Sequence, residues 1–172
     1  MKRLAALLLV MFLITGCSGN GINKFFSRLQ DEQQAKHVLQ GYMELLAGGH
    51  AETAYNDLTS ATQKKVSRQD FVTFHKLRKN FVPKSKSTFK VEEYLKKVSM
   101  PDASYPEGFY FTESVTYTNA GSQKAPVDHY RYLVVNENDH WKVYLLTADK
   151  YKEGIAQMLK STPNFNLPQK GK

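Results

Sequence analysis

Cysteine is almost absent from this chain of 172 residues, since Cys17 is the only one. The folded part therefore has no internal disulfide, no cysteine-based metal site and no cysteine nucleophile. Long apolar runs are missing as well. The run from Leu4 to Ile14 is too short to cross a bilayer, because a spanning helix needs about 20 apolar residues.

The short apolar run is typical of an export signal. It follows the basic pair Lys2-Arg3, and about 7–15 apolar residues after a positive start indicate a signal peptide. The stretch 14–17 (ITGC) then resembles the lipobox of bacterial lipoproteins, in which the cysteine receives a diacylglycerol and the preceding peptide is removed. This resemblance implies a signal peptide over 1–16 and a lipid anchor on Cys17. The alternative is an ordinary secretory signal in which Cys17 is incidental.

The anchor implies a place in the bacterial cell envelope. Ser18 stands where an Asp would resemble an inner-membrane retention signal, so the outer membrane is expected if the organism has one. With a single membrane, the outer face of the cytoplasmic membrane is expected.

The charge balance is basic. The formal charge is +8, and removal of Lys2 and Arg3 with the signal leaves +6. This charge suits an anionic phospholipid surface, an anionic envelope polymer or an acidic protein, although it also suits simple solubility. No nucleic-acid partner is expected for an exported protein.

Helical periodicity dominates the first half of the mature chain. Residues 17–29 are predicted to be the lipidated cysteine and a flexible tether. Within this stretch, Phe25, Phe26 and Leu29 either touch the membrane interface beside the anchor or begin the first helix and pack on the domain. A helix is predicted over 31–47, with one apolar stripe and a glycine pair at its end. A second helix is predicted over 51–58. A third begins at the capping residue Ser67.

The second half has the two-residue period of strands. Strands are predicted over 89–98, 109–118, 127–135 and 140–147. A closing helix is predicted over 151–160 and a flexible tail over 161–172. The fold class is therefore predicted as α+β, one domain over 30–160 with N-terminal helices packed on a curved antiparallel sheet of about four strands.

The order of short motifs resembles a known fold family. Gly48-Gly49, then 54–59 (AYNDLT), then 66–71 (VSRQDF) are similar to the opening of NTF2-like domains, in particular the N-terminal domain of MecA-type penicillin-binding proteins. The strand with 141–143 (WKV) is also similar to that family's last strands. The resemblance implies a cone-shaped fold with a pocket between sheet and helices. A cystatin-like fold, with one helix on a bent sheet, is the alternative.

Catalytic motifs are not found. The five histidines lack metal-ligand spacing such as H-E-x-x-H, and neither a glycine-rich phosphate loop nor a G-x-S-x-G element occurs. His37 and His75 are expected on helix surfaces. NTF2-like enzymes use an Asp or His dyad in the cavity, and this chain shows no convincing counterpart. No metal, cofactor or catalytic residue is predicted.

Four strand residues are candidates for a pocket: Glu113, Tyr117, His129 and Arg131. Alternation places Glu113 on the face of its strand that carries the aromatic residues, where a carboxylate can move protons; alternatively it is solvated at an exposed strand end. His129 and Arg131 share a face that either lines a polar pocket or faces solvent.

A basic stretch joins the helical half to the strands. Its candidate anion-binding residues are Lys84, Lys86, Lys90, Lys96 and Lys97. With Phe89 among them, they either hold the domain against an anionic lipid or polymer or form a solvated surface.

These features predict a membrane-anchored, non-enzymatic module that binds or docks in the cell envelope. The alternative is a pocket that binds or transforms a small apolar molecule, as in ketosteroid isomerases. An open pocket of several hundred cubic ångströms lined by aromatic residues would favour the alternative, and a space filled by side chains would favour the docking module.

Overall fold

The computed structural model describes residues 19–79, 85–117 and 127–161. The chain divides into two units, Met1–Gln34 and Ala35–Lys172. The architecture is mixed α+β, as predicted: helices precede a four-stranded antiparallel sheet. Among the described helices, none combines the length and apolarity that a membrane span requires. The predicted signal peptide over 1–16, Cys17 and the tail from 162 onward lie outside the described residues.

Helix α1 spans Gly19–Gly48. The prediction of a flexible tether is therefore wrong from Gly19 onward. Glycine in a helix interior costs about 1 kcal/mol relative to alanine, but each turn added to an existing helix forms far more easily than a new helix nucleates. The sequence has no proline before Pro83 that would interrupt this extension.

The end of α1 is fixed by its glycine pair, as predicted. Gly49 has a φ of 84°, in the left-handed region that glycine enters without steric cost. The His50 N–H donates to the Leu45 carbonyl at 2.8 Å and the Gly49 N–H donates to the Leu46 carbonyl at 3.1 Å. These two bonds form a Schellman motif, which satisfies carbonyls that the helix end leaves open.

The C-terminal part of α1 buries the predicted apolar stripe. Leu39 and Tyr42 are fully buried, and Ala35 extends the stripe one turn earlier. Val38 and Met43 are partly buried against the same core.

Helical structure covers most of the helix predicted over 51–58, and a further short helix follows it. Helix α2 is Ala51–Ala54 and continues as a 3₁₀ turn over Tyr55–Asp57. Helix α3, Ser60–Lys65, was not predicted. The break lies at Leu58, which is extended and forms a bridge with Val143. Because this segment pairs with the sheet, it cannot continue as a helix.

The start of α3 is capped twice. Thr59 Oγ1 accepts a hydrogen bond from the Thr62 N–H at 3.2 Å. The Glu137 carboxylate accepts from the Ser60 N–H at 3.0 Å and 3.2 Å. A side chain 77 residues away therefore ties the helical layer to the sheet.

Helix α4, Arg68–Lys79, begins as the sequence predicts. Ser67 Oγ accepts from the Asp70 N–H at 3.1 Å and donates to the Asp70 carboxylate at 2.8 Å. Phe71 and Leu77 are fully buried, so this face of the helix packs into the core.

The sheet has the strand order β1-β4-β5-β6, and every neighbouring pair is antiparallel. The strands are β1 Ser85–Leu95, β2 Val98–Met100, β3 Ala103–Tyr105, β4 Gly108–Tyr117, β5 Val127–Glu137 and β6 His140–Tyr144.

The register of β1 shifts between Val91 and Glu93, and this bulge explains why alternation fails at its acidic pair. Asn138 and Asp139 both have positive φ, as a two-residue hairpin turn requires.

The small hairpin β2-β3 was not predicted, because strands of three residues show no readable period. Val98 and Tyr105 from this hairpin pack with Leu133, Val135 and Tyr144 in a second buried cluster. The hairpin therefore covers one end of the sheet on the side opposite the main core.

The main core lies between the helices and the sheet. Phe109 and Phe111 of β4 are fully buried in it, and Trp141 of β6 packs on Phe109 with ring centroids 5.4 Å apart. Helix α5, Tyr151–Ser161, packs on α4. The two helices approach closely at Gly154, where a Cβ would lie 2.8 Å from the Phe74 ring.

Substitution of Tyr55 tests the packing between the short helices and α4. Its ring packs on Phe71, and its hydroxyl donates to the Val66 carbonyl at 2.9 Å. We expect Tyr55→Ala to lower the free energy of unfolding by about 3–5 kcal/mol. Tyr55→Phe keeps the ring and should cost only about 1 kcal/mol. Urea titration of the chain from residue 19, followed by Trp141 fluorescence, measures both; similar losses for the two variants would contradict this packing.

Candidate functional site

The two faces of the sheet differ in chemistry. Along β4, Phe109, Phe111, Glu113 and Val115 are buried, whereas the residues between them are partly exposed. The pairing of β4 with β1 and β5 carries this alternation across three strands. We call the side of Phe111 the inner face and the opposite side the outer face.

The four candidate pocket residues do not converge on one site. Glu113 lies on the inner face, whereas His129 and Arg131 pair with outer-face residues of β4. Tyr117 ends β4, and its side chain lies outside the described residues. Because successive side chains of a strand point to opposite faces, Glu113 and His129 cannot act on the same atom of a ligand.

Glu113 is a buried carboxylate with a fixed partner. Only 3% of its surface is exposed, so it is not solvated at a strand end. The Tyr132 hydroxyl donates a hydrogen bond to Glu113 Oε2 at 2.8 Å. Burial, together with the nearby Glu113 carboxylate, raises the pKa of Tyr132. The phenol therefore keeps its proton, and this donated bond compensates part of the carboxylate's desolvation.

His75 lies among aromatic rings, not on the helix surface where it was predicted. Its ring centroid is 4.5 Å from that of Phe71 and 5.3 Å from that of Phe74. His75 Nε2 and the Tyr151 hydroxyl share a hydrogen bond of 3.1 Å. Burial, and secondly the charge of Arg78, lower the pKa of His75 to about 4. The imidazole is therefore neutral at physiological pH.

Tyr42 of α1 lies in the same interior region as Tyr132 and Tyr151. It is fully buried, and burial, followed by the nearby Tyr151 and Tyr132, raises its pKa well above the usual range. A hydrogen bond links its hydroxyl with that of Tyr151. Aromatic side chains with paired hydroxyls thus occupy the space between helices and sheet.

The outer face carries polar side chains in rows that run across β1, β4 and β5. The rows are Lys90–Thr112–Arg131, Thr88–Ser114–His129 and Lys86–Thr116–Val127. Because neighbouring strands lie about 4.8 Å apart, the backbones of Lys90 and Arg131 are separated by about 10 Å. The structure therefore joins part of the basic stretch with His129 and Arg131, which the sequence presented as separate candidates.

The Arg131 side chain on this face is held by contacts within the protein. Its Nε donates to Glu92 Oε2 at 2.7 Å, and its Nη2 lies 3.7 Å from Glu93 Oε2. Its guanidinium also stacks on the Tyr110 ring, 3.7 Å from the centroid. These acids neutralise its charge locally, so Arg131 is less suited than the lysines to bind an anion.

Ser114 and His129 form a hydroxyl–imidazole pair that the sequence did not indicate. Ser114 Oγ and His129 Nδ1 are 3.0 Å apart. A serine activated by a histidine is the start of nucleophilic catalysis, which also needs a group that orients the base and donors for an oxyanion. Among the described contacts, His129 has no orienting carboxylate. Because this pair lies on an open strand face with His129 exposed, it supplies a polar contact surface without an enclosed site.

The candidate lysines are exposed wherever they are described. These are Lys86, Lys90, Lys96 and Lys97. Lys84 lies outside the described residues. Lys86 and Lys90 share the outer face, whereas Lys96 and Lys97 lie at the bend between β1 and β2. In the part of the chain that the structure describes, none of these four lysines forms an ion pair.

A small cleft in the described part of the chain is lined by no residue of the sheet. Its volume is about 210 Å³, and it is lined by Lys65, Val66, Asp70, Ala148, Asp149, Tyr151 and Lys152. None of the candidate pocket residues lines it, and it is smaller than the roughly 300–1,000 Å³ of a typical ligand pocket. Within the described ranges, no three His, Cys, Asp or Glu side chains are placed to hold a metal ion.

Comparison with known proteins identifies no relative. No protein-family model, no curated protein and no solved structure matches this chain. The functional inference therefore depends on the residues and their geometry.

The low pKa of His75 makes stability depend on pH. As the pH falls below about 6.5, the His75 imidazole takes up a proton in the unfolded chain, whereas in the folded chain it stays neutral until about pH 4. The free energy of unfolding should therefore be highest above pH 6.5 and fall toward pH 4, by up to roughly 3 kcal/mol from this group. His75→Gln should flatten that part of the curve. Denaturant titrations of both chains between pH 4 and 7.5 test this, and parallel curves would contradict it.

Proposed function

We propose that this protein is a membrane-anchored, non-enzymatic lipoprotein with an NTF2-like domain that acts as a docking module in the bacterial cell envelope. The observation that carries the proposal is the contrast between the two faces of the sheet. The inner face is filled by aromatic side chains, whereas part of the outer face is open, polar and basic.

The arrangement of helices supports the NTF2-like assignment over the cystatin-like one. The C-terminal part of α1 buries its stripe in the same core as Phe71 of α4 and Tyr151 of α5. A cystatin-like fold places a single helix on the sheet. The break at Gly49 and the start at Ser67 also occur in the order that the resemblance implies.

The filled interior supports binding without catalysis. Tyr42, Phe71, Phe109 and Phe111 are among the largest fully buried side chains, and they lie where the alternative function requires an open pocket. The Glu113 carboxylate already accepts a hydrogen bond from the Tyr132 hydroxyl. A carboxylate that already accepts a bond in a packed core cannot reach a substrate proton without rearrangement.

The outer face supports docking to an anionic partner. Lys86 and Lys90 project from one strand, and Thr116 and Thr112 lie opposite them on β4. Basic groups near an anionic surface contribute about 1 kcal/mol each, and hydroxyls add hydrogen bonds. The partner class is an anionic envelope polymer or an acidic protein surface.

Cys17→Ser tests the anchor. The thiol is the group that can accept a diacylglycerol, and acyl burial contributes about 0.8 kcal/mol per methylene. We expect the parent chain to stay in the membrane fraction after a high-salt wash and Cys17→Ser to be released. A serine variant that stays in the washed membrane would contradict the lipoprotein assignment.

Charge reversal on the outer face tests the docking surface. Lys86→Glu with Lys90→Glu should abolish binding of the chain from residue 19 to purified anionic envelope polymer at low salt. Binding by the parent should weaken as salt rises, because charge contacts are screened over about 8 Å at physiological ionic strength. Exposed charge changes shift stability by only about 0.5 kcal/mol each, so the fold should persist.

The matched control reverses two exposed lysines outside the sheet, Lys64→Glu with Lys160→Glu. It changes the net charge by the same amount and should keep most of the binding. If both double variants lose binding equally, net charge and not the outer face is responsible. Failure of the parent to bind at low salt would remove the anionic partner from the proposal.

A further inference from the structure

Three exposed apolar side chains lie together near the start of α1. Phe25 is 60% exposed, Phe26 61% and Leu29 39%. The two phenylalanine rings pack edge to face, with centroids 6.0 Å apart and planes at 71°. At about 100° of rotation per residue, the three positions fall within roughly 100° of the helix circumference. We call them the α1 stripe.

The neighbours of the α1 stripe are basic. Lys24 and Arg28 are exposed on the same turns, and no acidic residue occurs between Gly19 and Gln30. Aromatic and leucine side chains on one helix face, with lysine and arginine beside them, are typical of helices that lie in a membrane interface. Anionic lipid headgroups attract such basic residues.

The lipobox cysteine limits how far the α1 stripe can be from lipid. Phe25 follows Cys17 by eight residues, and α1 begins at Gly19. The six helical residues span about 9 Å at 1.5 Å each, and the two residues before them span at most about 7 Å. With acyl chains on Cys17, Phe25 therefore lies within about 16 Å of the anchored residue, close enough to reach the headgroup layer.

We propose that the α1 stripe docks on the lipid bilayer as a second membrane contact and lays the first turns of α1 in the plane of the interface. This inference rests on the proposed lipid anchor at Cys17. The acyl chains hold the protein on the membrane, and the stripe restricts how its first helix is oriented there. The occupant of the stripe is the lipid surface, not a second protein.

Quenching of single tryptophans by brominated lipids tests the contact. The full-length lipidated chain carries Trp141→Phe, and Phe25→Trp then places the fluorophore on the α1 stripe. Ser27→Trp is the matched control, because Ser27 is exposed about 200° around the same helix. In phosphatidylethanolamine–phosphatidylglycerol vesicles with brominated acyl chains, we expect about twofold stronger quenching of Phe25→Trp than of Ser27→Trp.

Equal quenching of the two variants would overturn the inference. The inference would also be overturned if the tryptophan of Phe25→Trp became shielded from solvent without lipid, and more so at higher protein concentration. That result would assign the stripe to a second copy of the chain. If Trp141→Phe folds poorly, the same comparison is made with Trp141 present and its signal subtracted.

The anchor is measured separately by incorporation of radiolabelled palmitate into the parent chain and Cys17→Ser. Label on the parent together with equal quenching rejects the α1 stripe and leaves the anchor intact. Absence of label from the parent rejects the anchor, and with it the step that brings the stripe to the bilayer. The two failures are therefore distinguishable.

Discussion

The two-residue period of β4 is the constraint on which both faces of the sheet depend. β4 lies between β1 and β5, so its alternation sets the alternation of its neighbours. Phe109 and Phe111 are fully buried on the inner face, and burial contributes roughly 25 cal/mol per Å² of apolar surface. A slip of β4 by one residue would expose these rings and turn Thr112 and Ser114 into the core. The aromatic core thereby fixes where the lysines are displayed.

The same core underlies the proposal that the domain binds without catalysis. The sheet and helices are joined at Glu137, which caps α3, and at Leu58, which pairs with β6. These links draw the helical layer onto the inner face, and aromatic rings occupy the space between. In the described part of the chain, the interior residues His75 and Glu113 carry acid–base groups, and each has a tyrosine hydroxyl as partner. Their hydrogen bonds satisfy buried polar atoms, so both residues are accounted for by packing.

Periodic and capped elements were predictable from the sequence, whereas elements held by distant partners were not. The stripe of Leu39 and Tyr42, the cap at Ser67 and the four long strands each carry a local signal. Helix α3 depends partly on Glu137, which is distant in sequence, and β2-β3 depends on packing against Leu133. Of the candidate site residues, Glu113 was placed on its face by alternation alone. Lys90 and Arg131 lie in one row because of the register between three strands. The residue pattern of a single strand does not specify that register.

The proposed anchor and the proposed docking surface complement each other energetically. Arg131 is engaged by Glu92 and Glu93, so Lys86 and Lys90 supply most of the outer-face charge. At about 1 kcal/mol per basic residue, two lysines fall short of the roughly 4 kcal/mol that a millimolar complex requires. These two contacts alone hold a partner only weakly at physiological salt, and they strengthen at low salt, where charges are screened less. The proposed anchor would make contact with a membrane-linked partner partly intramolecular, which raises the occupancy of weak contacts without adding a new one.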